Sequence, residues 1–243
     1  MTKDYLKLQK GFVKVSNWYN DPYRLTKNEP MPAIQVLDAE DEKILLKYIG
    51  TEDSYIDVAL EFAFNLHKKQ TRKGTNTPYF VHILDVAKIL MYETKDQEVI
   101  IAGILHDTLE DTDYTKEKLI HNFGEDVFNL VNFCTEPENN ISATDEQQKS
   151  SWKKRKQHSI DSLKTATNEQ LLVFLADKLS NLQSIHDDIV LTGDEVWKKF
   201  NAPYDDIKWY YLSIREEMRK RVSSTRTFKL FDNLIDKVFK EEK

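Results

Sequence analysis

Glycine and proline are scarce in this chain, which limits the number of turns that it can make. There are six glycines and six prolines among 243 residues, under half of their usual combined share of about 12%. A β-sandwich or barrel needs a turn about every ten residues, and an α/β sheet needs glycine-rich turns between its strands and helices. The scarcity of both residues therefore predicts long helices with few connections, which is an all-α fold.

Length and charge narrow the class of protein further. A chain of 243 residues is long enough to bury roughly 70% of its unfolded surface without a disulfide or a metal to hold it together. Apolar residues make up 40% and charged residues 31%, with a formal net charge of −6, so we expect a folded acidic protein rather than a disordered chain or a basic nucleic-acid binder.

Two further features bear on location and redox chemistry. Cys134 is the only cysteine, which excludes an internal disulfide and a cysteine-rich metal site and predicts a buried structural thiol. The N-terminus has no apolar signal segment, and the longest apolar run, from Val99 to Leu105, is too short to span a bilayer. We therefore expect a cytoplasmic protein.

The chain divides into three segments by composition. Residues 1–50 contain prolines at positions 22, 30 and 32 and predict an irregular N-terminal extension, packed on the core, with one short helix over 39–48. Residues 51–190 carry the most regular apolar spacing and predict the core. Residues 191–243 are expected to add the C-terminal helices of the same domain.

The spacing of apolar residues predicts the individual helices. A capping pattern at Ser54 begins the first, over 54–67, and the second is expected to bury Ile83, Val86, Ala87, Leu90 and Met91. The remaining helices are predicted over 97–110, 115–123, 124–134, 152–165, 169–189, 194–200, 205–222 and 226–240. The polar run 135–151 predicts a loop.

The first chemical signal follows the apolar run of the third predicted helix, which stops at His106-Asp107-Thr108-Leu109-Glu110-Asp111. At about 100° per residue, His106, Asp107, Glu110 and Asp111 fall within a stripe about 140° wide. Three carboxylates and an imidazole this close together are costly unless a cation is present. The alternative, a solvated acidic helix end, opposes the helix macrodipole.

Asp177 gives the second signal, because it directly follows six apolar residues, 171–176. A buried carboxylate needs a hydrogen-bonding or cationic partner in the core, or a metal, and the residues alone leave both interpretations open. His82 by itself is more typical of a packed or surface histidine.

Taken together, His82, His106, Asp107 and Asp177 supply two imidazoles and two carboxylates from three predicted helices. Divalent ions such as Mn²⁺, Fe²⁺ and Zn²⁺ bind such mixed sets, and positions would remain for a water and a phosphate oxygen. The adjacent His-Asp pair, and the order His, His-Asp, Asp along the chain, resemble the HD phosphohydrolase superfamily.

Longer sequence blocks make this resemblance more specific. They are HKKQTRK at 67–73, PYFVH at 78–82, AGILHDTLEDT at 102–112, FGEDV at 123–127 and LADKLSNL at 175–182. In this order they resemble the hydrolase domain of the RelA/SpoT-homologue family, which removes the 3′-diphosphate from (p)ppGpp. The resemblance covers about residues 55–190. Because the chain is too short for additional synthetase and regulatory regions, it is similar to the small alarmone hydrolases.

The resemblance implies a role for each matching residue. It implies that a divalent metal, usually Mn²⁺, is bound by His82, His106, Asp107 and Asp177. It also implies that Glu110 and Asp111 position or deprotonate the attacking water. Arg72 and Lys73 would line the nucleotide pocket, and Asn181 would contact the sugar or phosphate side of the substrate.

The chain departs from the family pattern at three places. Phe174 stands where the family commonly has a lysine, three residues before the last metal-binding aspartate. The loop from Arg72 to His82 is one residue longer than usual, and Ile83 replaces a proline. We expect the metal site to persist and the recognition of guanine and diphosphate to change.

A basic cluster at residues 152–158, WKKRKQH, has two interpretations. It is either a solvated helix face or a set of cations directed at the metal site, in which case Lys153 and Lys154 would attract the polyphosphate. The aromatic residues Trp197, Phe200 and 209–211 are predicted to pack in the core.

The function that these residues predict is metal-dependent hydrolysis of the 3′-diphosphate of (p)ppGpp to GDP or GTP and pyrophosphate. One alternative is hydrolysis of another nucleotide or phosphoester at the same metal centre. A second is a non-catalytic, antitoxin-like protein whose HD site is a relic. A small nucleotide is the expected partner, with no membrane and no nucleic acid, and homo-oligomerisation is left open.

Overall fold

The computed structural model describes residues 55–136 and 145–239, together with the backbone of two short strands near the N-terminus. These strands, β1 (Lys7–Gln9) and β2 (Phe12–Lys14), pair antiparallel with Leu8 opposite Val13. They lie within the segment predicted to be irregular. The rest of residues 1–50, including the predicted helix over 39–48, lies outside the described residues.

Within residues 55–136 and 145–239 most of the chain is helical. In chain order the helices are α1 (Tyr55–His67), α2 (Phe80–Glu93), α3 (Gln97–Leu105), α4 (Thr108–Asp111), α5 (Lys116–Cys134), α6 (Asp145–Ser162), α7 (Asn168–Thr192), a 3₁₀ helix (Gly193–Lys199), α8 (Tyr204–Val222) and α9 (Arg226–Val238). The prediction of an all-α fold is confirmed.

Polar side chains mark where several of these helices begin. Asp96 and Thr115 accept hydrogen bonds from the first free backbone N–H groups of α3 and α5, and Thr225 does the same for α9. At α7, Thr167 and Gln170 form a complete capping box. Each cap satisfies N–H groups that the helix itself cannot pair.

The predicted buried stripe of α2 is correct except at one position. Ile83, Val86, Ala87 and Leu90 are buried, whereas Met91 is 47% exposed. At 100° per residue, Met91 lies beyond the edge of the arc that these residues share, and Ile89 occupies the other edge.

The predicted continuous helix over 97–110 is wrong. Helix α3 ends at Leu105, the backbone turns through His106 and Asp107, and the short helix α4 follows. The hydroxyl of Thr108 donates to the carbonyl of Leu105 at 2.7 Å, which gives one carbonyl at the end of α3 a partner.

Two other predicted boundaries, the division at Gly124 and the end of the loop over 135–151, can be compared with the structure. The predicted division at Gly124 is confirmed as a kink inside α5, where Gly124 has φ 87°, a value that favours glycine. The predicted loop over 135–151 is too long, because α6 begins at Asp145. The residues at 145–151 are polar and have no apolar repeat that would have indicated a helix.

Helix α7 is central to the structure and packs against α2, α3, α5 and α9. Gly103 of α3 faces Leu90 of α2, and a Cβ at Gly103 would lie 2.1 Å from Leu90 Cδ1. The glycine therefore permits the close approach of α2 and α3, and this brings His82 next to His106.

No helix in the described ranges is long and apolar enough to cross a membrane. The division into an extension, a core and C-terminal helices stays a prediction.

Candidate active site

The four predicted metal ligands meet where α2, α7 and the turn after α3 converge. His82 Nε2 and His106 Nε2 are 3.3 Å apart, and Asp107 Oδ2 lies 2.7 Å from His106 Nε2 and 3.7 Å from His82 Nε2. Asp177 Oδ1 is 3.2 Å from His82 Nε2 and 3.7 Å from His106 Nε2. The sequence therefore identifies four side chains that the fold does bring together.

The two imidazoles are held so that their Nε2 atoms face this cluster. His82 Nδ1 lies 2.9 Å from the Ser180 hydroxyl, and His106 Nδ1 lies 2.8 Å from the Gly103 carbonyl. Metal-binding histidines are usually oriented in this way, through a hydrogen bond from the ring nitrogen that does not face the ion.

The donor atoms of His82, His106 and Asp107 lie close enough together to hold a divalent ion. Ligand bonds of about 2.1 Å place neighbouring donor atoms about 3.0 to 3.4 Å apart. Two separations, 3.3 Å between the Nε2 atoms and 3.2 Å from Asp177 Oδ1 to His82 Nε2, lie in this range. Two imidazoles and two carboxylates suit a first-row divalent metal better than Mg²⁺ or Ca²⁺, which favour oxygen ligands alone.

Protonation supplies the positive charge of the cluster when no ion is bound. Burial alone lowers the pKa of His106, but the carboxylates of Asp107 and Asp177 outweigh it and raise that pKa well above its ordinary value. Burial lowers the pKa of His82. Because a metal binds the neutral form of an imidazole, we expect metal affinity at this cluster to depend on pH.

Asp177 has further partners that fix its orientation. Its Oδ2 accepts from the ammonium of Lys178 at 2.6 Å, and its Oδ1 accepts from the amide of Asn181 at 2.5 Å. The core cation that one interpretation of Asp177 requires is therefore present, and the carboxylate also faces the histidines. Its role as a metal ligand stays a prediction.

Glu110 and Asp111 lie beside the cluster and line a small cavity of about 150 Å³ with Asp107 and Asp177. Burial, reinforced by the charge of Asp107, raises the pKa of Glu110 to about 7 and that of Asp111 to about 6. Carboxyl groups with such pKa values can accept and release protons near neutral pH.

Glu110 and Asp111 reach the cluster by a different path from the one that the sequence predicts, because the prediction assumed one continuous helix over 97–110. The turn at His106–Asp107 interrupts this helix, and the four ionisable residues meet through the turn instead.

Cys134 borders the same small cavity and is half-buried rather than buried. Burial raises the pKa of its thiol, which keeps it protonated.

A larger cavity of about 460 Å³ adjoins the cluster and is lined by Arg72, Lys73 and Asn181, so the three residues are near one another. Their role in nucleotide binding stays a prediction. Arg72 donates to Asn181 Oδ1 at 2.6 Å, and Lys73 donates to Asn201 Oδ1 at 2.7 Å. Phe200, Tyr210 and Tyr211 also line this cavity, so these aromatic residues, predicted to pack in the core, form part of a pocket wall as well.

Lys153 and Lys154 do not line either cavity. Both side chains are exposed on α6, and Lys153 pairs with Asp206 at 2.9 Å. Among the cations of α6 whose side chains the structure describes, Lys156 borders both cavities. Trp152 sets this orientation by packing edge-on against Tyr210.

Sequence reasoning missed several residues that contact the proposed site, among them Tyr79 and Glu136. The hydroxyl of Tyr79 donates to Asp107 Oδ2, and the backbone N–H of Glu136 donates to Glu110 Oε2 at 3.3 Å. The carboxylate of Glu136 also pairs with Arg155 and Lys156. Tyr79 lies within the block 78–82, but Glu136 falls in the run predicted to be a loop, where no pattern marked it.

Phe174 occupies the end of the small cavity where the family pattern has a lysine. Its ring packs edge-on against Phe133 and lies under the ammonium of Lys178, which is 4.9 Å from the ring centroid. Lys178 therefore places a positive charge next to the position that lacks one.

The fold and the site together define a class of protein. The HD domain family matches residues 59–205, which span the four ligand-type residues and more than half of the chain. The chain therefore belongs to the HD domain family, as its His-Asp pair and ligand order predict.

Relatives within that family confirm the narrower resemblance. The chain is 38% identical over 149 residues to a guanosine-3′,5′-bis(diphosphate) 3′-pyrophosphohydrolase of Aquifex aeolicus, covering 60% of this chain and 20% of that protein. It is also 38% identical over 140 residues to the corresponding enzyme MESH1 of Xenopus tropicalis, covering 56% of this chain and 73% of MESH1.

Two solved structures share the fold. One is a metazoan orthologue of SpoT that hydrolyses ppGpp, with 26% identity and a TM-score of 0.58 over 77% of this chain and 97% of that one. The other is lmo0812 of Listeria monocytogenes EGD-e, with 33% identity and a TM-score of 0.57 over 66% of this chain and 99% of that one.

Proposed function

We propose that this chain hydrolyses the 3′-diphosphate of a guanosine nucleotide, (p)ppGpp, to GDP or GTP and pyrophosphate. One observation carries the proposal. The cluster of His82, His106, Asp107 and Asp177 lies beside a small acidic cavity and a larger cavity with cationic residues. It does so in a chain 38% identical to enzymes named for this reaction.

The proposed chemistry needs a nucleophile, a base and a binding site for phosphate. A divalent ion, Mn²⁺ in our proposal, would be held by His82, His106, Asp107 and Asp177 and would supply a nucleophilic water at neutral pH and polarise a phosphate oxygen. Glu110 or Asp111 orients the attacking water and accepts its proton, for which their raised pKa values are suitable. The water oxygen bonds to phosphorus as the bond to the ribose 3′-oxygen breaks, and the proton held by the carboxyl group passes to that oxygen to give the 3′-hydroxyl.

The cavities suggest how the substrate is placed. Four residues border both the large and the small cavity: Tyr79, Lys156, Lys178 and Asn181. A nucleotide in the large cavity would contact Arg72 and Lys73, and its 3′-diphosphate would pass the two lysines on its way to the cluster. In this arrangement Lys156 and Lys178 supply the positive charge that faces the diphosphate, because the side chain of Phe174 carries no charge.

Phe174 also favours a second candidate, which is hydrolysis of another nucleotide phosphoester at the same metal centre. An aromatic ring offers no charge to a phosphate, whereas it can pack against an apolar or aromatic part of a substrate.

The cytoplasmic location, the absence of nucleic acid among the partners and the oligomeric state stay predictions.

A substrate panel tests the proposal. Metal-loaded protein is incubated with ppGpp, pppGpp, pGpp, GTP, dNTPs and NADPH, and the products are identified by chromatography. We expect release of pyrophosphate from the 3′-diphosphates, its loss in Asp177→Asn, and its retention in the exposed control Asp126→Asn. Cleavage of another compound alone would favour the second candidate. No turnover of any compound would favour the non-catalytic alternative.

A further inference from the structure

Tyr79 occupies the boundary between the two cavities, and its ring is held on several sides. It stacks on His67 with 5.2 Å between ring centroids and meets His82 edge-on at 5.6 Å. The guanidinium of Arg72 lies 5.6 Å from its centroid. The ring is thus fixed between a buried histidine, a proposed metal ligand and a residue of the proposed nucleotide pocket.

The backbone of Tyr79 is fixed as well. Its N–H donates to the carbonyl of Gln70 at 2.9 Å, and its carbonyl accepts from the N–H of His82 at 2.9 Å. Gln70 in turn donates through its side chain to the carbonyl of Asp111 at 2.7 Å. The segment from His67 to His82 is therefore tied to the acidic residues at both its ends.

The hydroxyl of Tyr79 points away from these contacts and into the small cavity. It donates to Asp107 Oδ2, and the side chain of Asp111 lines the same cavity. The hydroxyl is therefore hydrogen-bonded to a proposed metal ligand, beside a residue proposed to act on the water. Asp107 Oδ2 also lies 2.7 Å from His106 Nε2, so the two contacts together fix that carboxylate.

We infer that Tyr79 is a positioning residue, whose hydroxyl fixes the carboxylate of Asp107, beside Asp111, in the orientation that metal binding and water activation require. The inference rests on the metal centre of the proposed function. It assigns no direct contact between the Tyr79 hydroxyl and the reacting atoms. Hydrogen bonds to metal-binding carboxylates commonly affect metal affinity or activity by about 10- to 100-fold.

Tyr79→Phe tests this inference, because it removes the hydroxyl and keeps the ring beside Arg72. Tyr92→Phe is the matched control, since Tyr92 is 67% exposed and lies outside both cavities. Metal-free protein is titrated with Mn²⁺ by calorimetry, and kcat and KM for ppGpp are measured at saturating Mn²⁺.

We expect Tyr79→Phe to weaken Mn²⁺ binding by about 10- to 100-fold and to reduce kcat at least about tenfold. KM should change by less than about threefold, because the removed contact acts on the chemistry rather than on substrate binding. The control should match the wild type in all three quantities. Circular dichroism establishes that each variant folds.

Mn²⁺ affinity and kcat within about twofold of the wild type would overturn the inference. If Tyr79→Phe does not fold, Tyr79→Leu serves instead, because leucine also lacks the hydroxyl and adds no metal ligand, and the same losses are expected. The calorimetric comparison needs no substrate. Failure of the wild type to cleave ppGpp would therefore refute the proposed function and leave the test of Tyr79 intact.

Discussion

Replacing Glu110 by glutamine should stabilise the metal-free protein at pH 8. Burial and the charge of Asp107 raise the pKa of Glu110 from 4.5 to about 7. A carboxyl group that binds its proton more tightly in the folded than in the unfolded chain makes the fold less stable as pH rises from the lower value to the higher one. The glutamine amide carries no charge at any pH, so Glu110→Gln removes this loss.

The size of the effect follows from the shift in pKa. Raising the pKa from 4.5 to about 7 corresponds to roughly 3 kcal/mol at pH values above 7, at 1.36 kcal/mol per pH unit. For a chain of this length, 1 kcal/mol changes Tm by about 2 to 4 °C. Glu110→Gln should therefore raise Tm by about 6 to 12 °C at pH 8 and by little at pH 4.5.

Thermal unfolding in the presence of a chelator measures this difference at a series of pH values. Glu125→Gln is the control, because Glu125 is exposed on α5 and its replacement should change Tm little at any pH. A gain for Glu110→Gln that is equal at pH 4.5 and pH 8, or absent at both, would refute the reasoning. The charge of Glu110 would then not oppose folding.

Two further predictions concern catalysis. Glu110→Gln and Asp111→Asn should each retain bound metal by elemental analysis and lower kcat by about 10²- to 10⁴-fold; full activity in both would remove the pair from the mechanism. Lys156→Gln should raise KM about tenfold and make the rate less sensitive to salt, whereas Lys153→Gln should change KM less than about twofold. Equal effects would indicate that the phosphate is attracted by the exposed face of α6.

The helices were largely predictable because burial of apolar residues sets their spacing. The turn at His106–Asp107 was not, because it depends on contacts that are distant in the sequence. Asp107 receives a hydrogen bond from Tyr79, which precedes it by 28 residues, and no local pattern encodes this contact. The prediction that the ionisable residues of 106–111 lie close together is therefore correct. The helix on which it was based, α3, ends before these residues.

The cations of α6 show a second limit of sequence reasoning. Residues 153–156 are all basic, so composition does not indicate which of them faces a cavity. The packing of Trp152 against Tyr210 orients α6, and Lys156 rather than Lys153 or Lys154 therefore borders the site. An amphipathic pattern would have indicated the buried face, but α6 has none.

The central claim is that water attacks the 3′-diphosphate of ppGpp at the HD cluster, and isotope labelling tests it most directly. Mn²⁺-loaded protein is incubated with ppGpp in H₂¹⁸O, and the products are analysed by mass spectrometry. We predict GDP with an unlabelled 3′-hydroxyl and pyrophosphate that carries one ¹⁸O atom, with neither product formed when a chelator is present. Label in the nucleoside, release of orthophosphate, or intact ppGpp would contradict the account.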